Sequence, residues 1–187
     1  MSIPVTTGRP PKRKKSLARE VLETAVLTIV VFLLARAALQ NFKVDGQSME
    51  PNLHNNEYVL VNKVDYLVQS PHRGDIVVFQ AVPARQPDRD YIKRVIGLPG
   101  ETVAVHGGDV FINQRRLAEP YIKERPTYIF GPSRVPSGSY FVLGDNRNNS
   151  FDSSKWTATH WLARKYIIGK AWIIYWPLHN LTLLRIP

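Results

Sequence analysis

The sequence predicts a mostly β protein, with antiparallel coiled sheets or a small barrel-like domain, preceded by one N-terminal transmembrane helix. An apolar segment near the N-terminus is followed, from Phe42 onward, by short runs of β-branched and aromatic residues between turn residues. After Phe42, helical periodicity is confined to a short stretch around 158–164. We therefore expect a basic cytoplasmic tail (1–19), a transmembrane anchor (20–41) and an extracytoplasmic β-rich domain (42–187).

Seven runs in this domain are predicted to be strands. They span residues 58–61, 75–79, 91–96, 102–105, 110–112, 139–143 and 169–176. Gly107 and Gly108 lie between two of these runs, where a tight hairpin turn requires positive φ. With 44% hydrophobic and 21% charged residues, the composition is that of an ordinary folded protein.

The formal net charge of +10 is concentrated at the N-terminus. Residues 1–19 contain six lysines and arginines and no acid, so the remaining 168 residues carry only +4. A basic tail is a poor nucleic-acid surface unless a basic face with stacking aromatics accompanies it. Beside an apolar segment, it is typical of the cytoplasmic flank of an anchor and of attraction to anionic lipid. We expect a lipid membrane as a partner and no nucleic acid.

The apolar segment runs from about Val21 to Leu39, and its uncharged centre is 12 residues long. That centre spans about 18 Å as a helix, which is short for a hydrocarbon core of about 30 Å. Arg36 can extend its guanidinium to the far headgroups, and the full segment reaches about 28 Å. A single span with a cytoplasmic N-terminus is our prediction. A buried helix of a soluble protein remains open, as does a cleavable secretory signal, since residues 35–37 have a small-x-small pattern.

Cysteine is absent, which excludes disulfides, thiolate catalysis and cysteine-ligated zinc. The five histidines are scattered, without the HExxH spacing or another metal-ligand pattern. We expect no metal and no cofactor.

Three polar segments, far apart in the sequence, contain the candidate catalytic residues. They span residues 45–51, 90–101 and 144–153. Ser48 follows a glycine turn in the first, and Lys93 and Arg94 are adjacent in an apolar strand in the second. Adjacent strand residues point to opposite faces, so one of these two cations faces the buried side or a cleft. Singly, the segments have ordinary interpretations: a solvated serine, an edge strand with two solvated charges, and a polar turn that caps its own backbone.

Together the segments resemble the conserved boxes of type I signal peptidases, the membrane-bound Ser/Lys proteases that remove signal peptides from exported proteins. The matching runs are Ser48-Met49-Glu50-Pro51, Arg73 to Phe79, Tyr91 to Gly100 and Gly144 to Ser153. The resemblance extends from the anchor to about Trp176. It implies a serine endopeptidase that cuts preproteins after small residues, typically alanine at the first and third positions before the cut.

Two other functions are open at this point. The first is a catalytically inactive, membrane-tethered β domain that binds exported chains, although such a domain needs neither Ser48 nor Lys93. The second is a soluble, self-cleaving Ser/Lys regulator that acts on nucleic acid, which the apolar anchor opposes.

The resemblance implies that Ser48 is the nucleophile and Lys93 its general base. A lysine with the ordinary pKa of about 10.4 is protonated near pH 7 and cannot accept a proton. Apolar burial lowers a lysine pKa, and the residues around Lys93 in its strand are apolar. The resemblance further implies that Ser150 orients the lysine amine, and that Asp145 pairs with Arg94 on the opposite strand face.

The remaining supporting residues concern the oxyanion and the last box. The backbone N–H of Ser48 is the first candidate donor to the oxyanion. Some family members carry a second donor, a hydroxyl, at the position of Gly46, so the second donor stays open here. Asp152 lacks the arginine that usually pairs with it, and Lys155 is a candidate replacement.

Motif position implies a shallow apolar pocket that admits only small substrate side chains. Its expected lining is Phe42, Val44, Met49, Leu53, Tyr91 and Ile92, and ordinary core is the alternative for each. The substrate is expected to bind as an added β-strand beside the segment that contains Lys93.

Overall fold

The computed structural model of the protein describes residues 17–184. The predicted basic tail therefore lies outside the described residues, except for its last three positions. A helix, α1 (Leu17–Ala38), comes first, and the chain divides into two compact units at Arg36 and Ala37. The second unit is built of antiparallel sheets, which confirms the mostly β fold class.

Helix α1 has 22 residues and is about 33 Å long. It is long and apolar enough to cross a membrane. The hydroxyls of Thr24 and Thr28 donate to the backbone carbonyls four residues earlier, at 2.9 and 2.8 Å, so these polar groups are satisfied inside the helix. The helix begins and ends three residues before the predicted anchor (20–41), because the chain pairs as a strand from Leu39 onward.

Among residues 17–184, twelve strands follow this helix. They are β1 (Leu39–Lys43), β2 (Tyr58–Asn62), β3 (Ile76–Ala81), β4 (Gln86–Gly97), β5 (Thr102–His106), β6 (Asp109–Ile112), β7 (Arg115–Arg116), β8 (Phe130–Arg134), β9 (Ser139–Leu143), β10 (Leu162–Ala163), β11 (Ile167–Trp176) and β12 (Thr182–Leu183). A single-turn helix, α2 (Asp65–Val68), follows β2. Short 3-10 turns span Arg147–Asn149, Arg164–Tyr166 and Leu178–Asn180.

The strands form two sheets, and all paired neighbours are antiparallel. The large sheet has the order β1-β2-β11-β3-β4-β9-β10, with β12 added to β11. The small sheet has the order β7-β6-β5-β8. Within the described part of the chain neither sheet closes on itself, because the outermost strands do not pair with each other. The barrel-like part of the prediction is therefore replaced by two open sheets.

All seven predicted runs are strands, and β4 is longer than predicted because it continues back to Gln86 along β3. Gly107 and Gly108 have φ of 59° and 82° and form the turn between β5 and β6. The helical periodicity around 158–164 does not produce an α-helix. Leu162 in that stretch is buried and pairs with Tyr140 of β9, so the segment adds an edge strand instead.

Strand β4 runs between the cores of the two sheets. Ile92 and Val95 pack in the two core clusters of the large sheet, whereas Ile96 belongs to the core of the small sheet. A Cβ at Gly97 would lie 2.6 Å from Val103 Cγ2 and 2.9 Å from Phe141 Cβ. The end of β4 therefore fits only when it has no side chain, and this close packing fixes the strand that contains Lys93.

We expect Leu162→Ala to lower the free energy of unfolding by about 2–5 kcal/mol, because it opens a cavity in a fully buried site. The matched variant Leu67→Ala, at a side chain that is 80% exposed, should change it by less than about 0.5 kcal/mol. Urea titration of the intact chain in mild detergent, followed by tryptophan fluorescence, measures both. Equal losses would contradict this assignment of the core.

Candidate active site

Ser48 lies in the loop between β1 and β2, and this loop is fixed on both sides of the serine. Gly46 has φ of 91°, a conformation that favours glycine, and its N–H donates to Asn55 Oδ1 at 2.9 Å. Met49 is buried in the core, and its carbonyl accepts the Leu53 N–H at 3.0 Å. The serine hydroxyl is thereby presented from a rigid turn.

Lys93 of β4 meets this hydroxyl although 45 positions separate the two residues. Its Nζ lies 2.8 Å from Ser48 Oγ and donates to the Ile92 carbonyl at 2.8 Å. The lysine is only 4% exposed, and its Nζ is 5.2 Å from the centre of the Tyr91 ring. The amine is therefore enclosed. The Ile92 carbonyl accepts a hydrogen bond from it, and the Ser48 hydroxyl can exchange a proton with it.

Burial lowers the pKa of Lys93 from 10.5 to about 8, because desolvation disfavours the charged form. The carboxylates of Asp152 and Asp145 oppose this shift, since a nearby negative charge favours the protonated amine. Near pH 8, about half of the amines are thus neutral. A neutral amine has a lone pair for the Ser48 proton, so this pair can carry out general-base chemistry.

Arg94 occupies the opposite face of β4 and forms a bidentate ion pair with Asp145. Arg94 Nε and Nη2 donate to the two carboxylate oxygens at 2.8 and 2.6 Å, and both side chains are buried. Arg94 Nη1 also donates to the Gly74 carbonyl at 2.9 Å. Asn52 Nδ2 donates to Asp145 Oδ2 at 2.8 Å, so the pair connects β4 with the segment after Ser48.

The loop after β9 holds the Ser48 turn through its backbone. The Asn146 N–H donates to the Ser48 carbonyl at 3.1 Å, and Asn146 Nδ2 donates to the Gln47 carbonyl at 3.1 Å. A Cβ at Gly144 would collide with the Ser48 carbonyl oxygen and would lie 2.6 Å from Ser150 Cβ. Glycine at this position thus permits the close approach of the loop and the nucleophile turn.

Two supporting residues make contacts different from those implied by the resemblance. Ser150 Oγ is buried and has no hydrogen-bond partner among residues 17–184, so the implied bond to the lysine amine is not formed. Asp152 accepts from the Gly144 N–H at 2.9 Å, and from the N–H and hydroxyl of Ser154 at 3.1 and 2.7 Å. Lys155 does not replace the missing arginine, because its Nζ donates to the Asn148 carbonyl at 3.2 Å.

A cleft of about 550 Å³ contains the Ser48–Lys93 pair. Phe42, Tyr91 and Ile92 of the predicted pocket line it. The structure does not place the other three predicted residues on its surface. Val44, Met49 and Leu53 are buried in the core cluster that includes Ile92, because their side chains point inward from the loop.

Sequence reasoning missed several residues of this cleft. They are Gln40, Asn41, Lys43, Asp45, Arg89, Asp90 and Phe151. Phe151 is 42% exposed, and its position beside Ser150 in the motif from Gly144 to Ser153 was the available signal. The others lie on or beside β1 and on the extension of β4.

The cleft is flanked by two strand edges. Within residues 17–184, β1 pairs with β2 alone. Gln86 and residues 90–93 of β4 pair with β3 alone, since β9 pairs only with the part from Arg94 onward. Unpaired backbone groups of this kind can bind an extended peptide as an added strand.

Within residues 17–184, no group of three or more histidine, aspartate or glutamate side chains is placed to hold a metal ion.

Comparison with known proteins identifies the family. The family model for signal peptidase, peptidase S26, matches residues 17–176. The chain belongs to the signal peptidase family. Signal peptidase I of Leptolyngbya laminosa is 43% identical over 168 residues, which cover 87% of this chain and 81% of that protein. The probable signal peptidase I-2 of Synechocystis sp. is 38% identical over 169 residues, covering 88% and 76%.

A crystal structure of a signal peptidase I from Enterococcus faecalis V583 is 34% identical, covers 55% of this chain and 97% of that chain, and has a TM-score of 0.48. The predicted family and the predicted class, a serine endopeptidase, are confirmed by the family model and the named relatives. With its apolar N-terminal helix, this signal peptidase is a membrane-anchored enzyme.

We expect Arg94→Ala to lower the free energy of unfolding by about 3–5 kcal/mol, because the Asp145 carboxylate would remain buried without its counterion. The matched variant Arg116→Ala breaks a pair with Asp109 in which the arginine is 59% exposed. It should cost less than about 1 kcal/mol. Urea unfolding measures the free energy of unfolding of both variants. If Arg94→Ala lowers it no more than Arg116→Ala does, the stabilising role of the buried pair is contradicted.

Proposed function

We propose that the protein removes signal peptides from exported preproteins, with Ser48 as the nucleophile and Lys93 as the general base. The observation that carries this proposal is the 2.8 Å separation between a buried lysine amine and a serine hydroxyl, in a chain of the signal peptidase family. An inactive domain that only binds exported chains would require neither the buried amine nor its contact with the hydroxyl.

The chemistry follows from the two side chains. Ser48 Oγ attacks the carbonyl carbon of the scissile bond while its proton moves to the neutral Lys93 amine. The protonated amine then gives this proton to the leaving amino group, and an acyl-enzyme remains. A water molecule, deprotonated by the same amine, attacks the ester carbon; the bond to Ser48 Oγ breaks, the ammonium returns the proton to Oγ, and the signal peptide leaves with a new carboxylate. Lys93 therefore acts first as a base and then as an acid in each half of the cycle.

The developing oxyanion requires donors at the nucleophile turn. Among the described residues, the Ser48 N–H donates to no other group, so it is available for this role. The Gly46 N–H is already committed to Asn55 Oδ1, which argues against Gly46 as the second donor. Gly46 supplies the turn geometry instead.

The substrate would lie extended between the unpaired edges of β1 and β4. Backbone hydrogen bonds to these edges supply affinity with little dependence on sequence. Phe42, Tyr91 and Ile92 would form the shallow pocket that admits alanine and excludes larger side chains at the first and third positions before the cut. For the anchor, we propose one span with a cytoplasmic N-terminus and the catalytic unit on the outer face of the cell membrane.

Ser48→Ala, Lys93→Met and Lys93→Arg should each lower kcat/KM for a preprotein at least about 1,000-fold, because each removes the nucleophile or a base that can be neutral. The controls Ser70→Ala and Lys165→Ala change exposed side chains and should stay within about twofold of the wild type. Cleavage in detergent or lipid, with the cut site identified by mass, measures all five. Substantial activity in any of the three catalytic variants would show that a group other than the replaced residue acts as the nucleophile or the base.

The kcat/KM should rise with pH and level off above an inflection near pH 8, the depressed pKa of Lys93. Below that pH the amine is protonated and cannot accept the serine proton, and above it the amine is neutral. A peptide substrate without ionisable side chains, assayed from pH 6 to 10, isolates the titration of the enzyme. A flat or falling profile would contradict a lysine base, provided that fluorescence shows the protein folded throughout.

A further inference from the structure

Residues 117–123, which we call the strap, connect the small sheet with the active site. The strap begins where the Leu117 N–H donates to the Val110 carbonyl of β6 at 2.8 Å. It ends where the Lys123 N–H donates to the Asp145 carbonyl at 3.1 Å. Between these points it has no strand or helix, so its position depends on its side-chain contacts.

Glu119 of the strap is the counterion of a fully buried arginine. Arg147 Nη1 and Nη2 donate to the two Glu119 oxygens at 2.7 and 2.6 Å, and the two side chains are 0% and 5% exposed. Arg147 Nε donates to the Gly144 carbonyl at 3.1 Å. The strap thus neutralises a charge in the same loop that holds the Ser48 turn through Asn146.

Tyr121 of the strap touches both sides of the site. Its ring centre lies 4.1 Å from Arg94 Cζ, a cation–π contact on the residue next to Lys93. Its carbonyl accepts Asn52 Nδ2 at 2.7 Å, and the same amide nitrogen donates to Asp145. Its hydroxyl donates to Glu119 Oε1 at 2.9 Å, so the two strap residues support each other.

We infer that Glu119 and Tyr121 are positioning residues for the Ser48–Lys93 pair, and that the strap sets the separation between the Ser48 turn and β4. The inference rests on the proposed function of that pair. The contacts run to both partners, through Asn146 and Asn52 to the serine turn and through Arg94 to the lysine strand. A shift of about 1 Å at a reacting group costs as much as 100-fold in rate. Because the Ser48 hydroxyl contacts the Lys93 amine, displacement of the Ser48 turn by a looser strap would also admit water to that amine.

The double variant Glu119→Leu/Arg147→Met removes the ion pair and leaves the net charge unchanged. The charged groups that act on the amine or lie beside it also remain. They are Asp145 and Asp152, Arg94 on the opposite face of β4, and Lys43, Asp45, Arg89 and Asp90 in the cleft. Because these charges are retained, hydration of the amine is the expected cause of a shift in the acid limb of the pH profile, which is the rise of kcat/KM on its low-pH side.

The experiment measures kcat, KM and the pH profile of kcat/KM for the intact chain in detergent, with one peptide substrate. In the double variant we expect kcat to fall at least about 10-fold. KM should stay within about threefold, because no strap residue lines the cleft. The acid limb should move upward by at least about half a pH unit, since water returns the amine toward its ordinary pKa. An acid limb at the wild-type position, whatever the rate, would overturn the inference.

A second pair of variants covers the case in which the double variant does not fold. Tyr121→Leu removes the ring from Arg94, whereas Tyr121→Phe keeps the ring and loses only the bond to Glu119. We expect the leucine variant to move the acid limb upward and the phenylalanine variant to retain it. An unmoved limb in the leucine variant would also overturn the inference. The control Asp109→Asn breaks an ion pair of the small sheet whose arginine is 59% exposed, and it should leave the acid limb in place.

Ser48→Ala and Lys93→Met, assayed in parallel, separate the two proposals. If either still cleaves, the proposed function fails regardless of the strap. If both are inactive while the strap variants keep the wild-type limb, only the positioning role fails.

Discussion

Two adjacent cationic side chains of β4 are buried on opposite faces of the strand, and the desolvation of the two charges is compensated in different ways. Arg94 stays charged and is satisfied by Asp145 and the Gly74 carbonyl. Lys93 has no ion-pair partner among the described residues, and its apolar surroundings favour the neutral form. The alternation of side chains along a strand thus places a structural cation directly behind a potential base.

The depressed pKa of Lys93 affects stability as well as chemistry. Lowering the pKa from 10.5 to about 8 costs the folded state about 3 kcal/mol below pH 8, where the lysine is protonated in both the folded and the unfolded chain. Between pH 8 and 10.5 only the unfolded chain binds the proton, so the free energy of unfolding rises with pH over this range and the cost disappears. The packing of β4 between two cores offsets it, since Val95 and Ile96 are fully buried on either side of the small-sheet boundary.

The sequence was sufficient for seven of the twelve strands within residues 17–184 and for the residues that meet at the site, because both leave local patterns, whereas β1 and the short or irregular strands β7, β8, β10 and β12 were not predicted. Alternating β-branched runs predict β2 to β6, and four ordered boxes place Ser48, Lys93 and Arg94 near one another. It was insufficient where a residue's partner is distant or lies in an irregular segment. Glu119 has no local signal that it faces Arg147, and nothing nearby indicates that Val44, Met49 and Leu53 point into the core. Around 158–164, pairing with β9 outweighs the weak helical periodicity of the sequence.

The unpaired edges of β1 and β4 have a consequence for the behaviour of the enzyme in a crowded membrane. Open strand edges promote association between folded copies, and charged residues placed along them oppose it. Lys43, Asp45, Arg89 and Asp90 stand on these edges or beside them. Docking of another sheet would strip water from all four charges, whereas a single unfolded strand of neutral, small residues leaves them hydrated. Charges at these positions thus oppose association of two copies of the chain through the cleft.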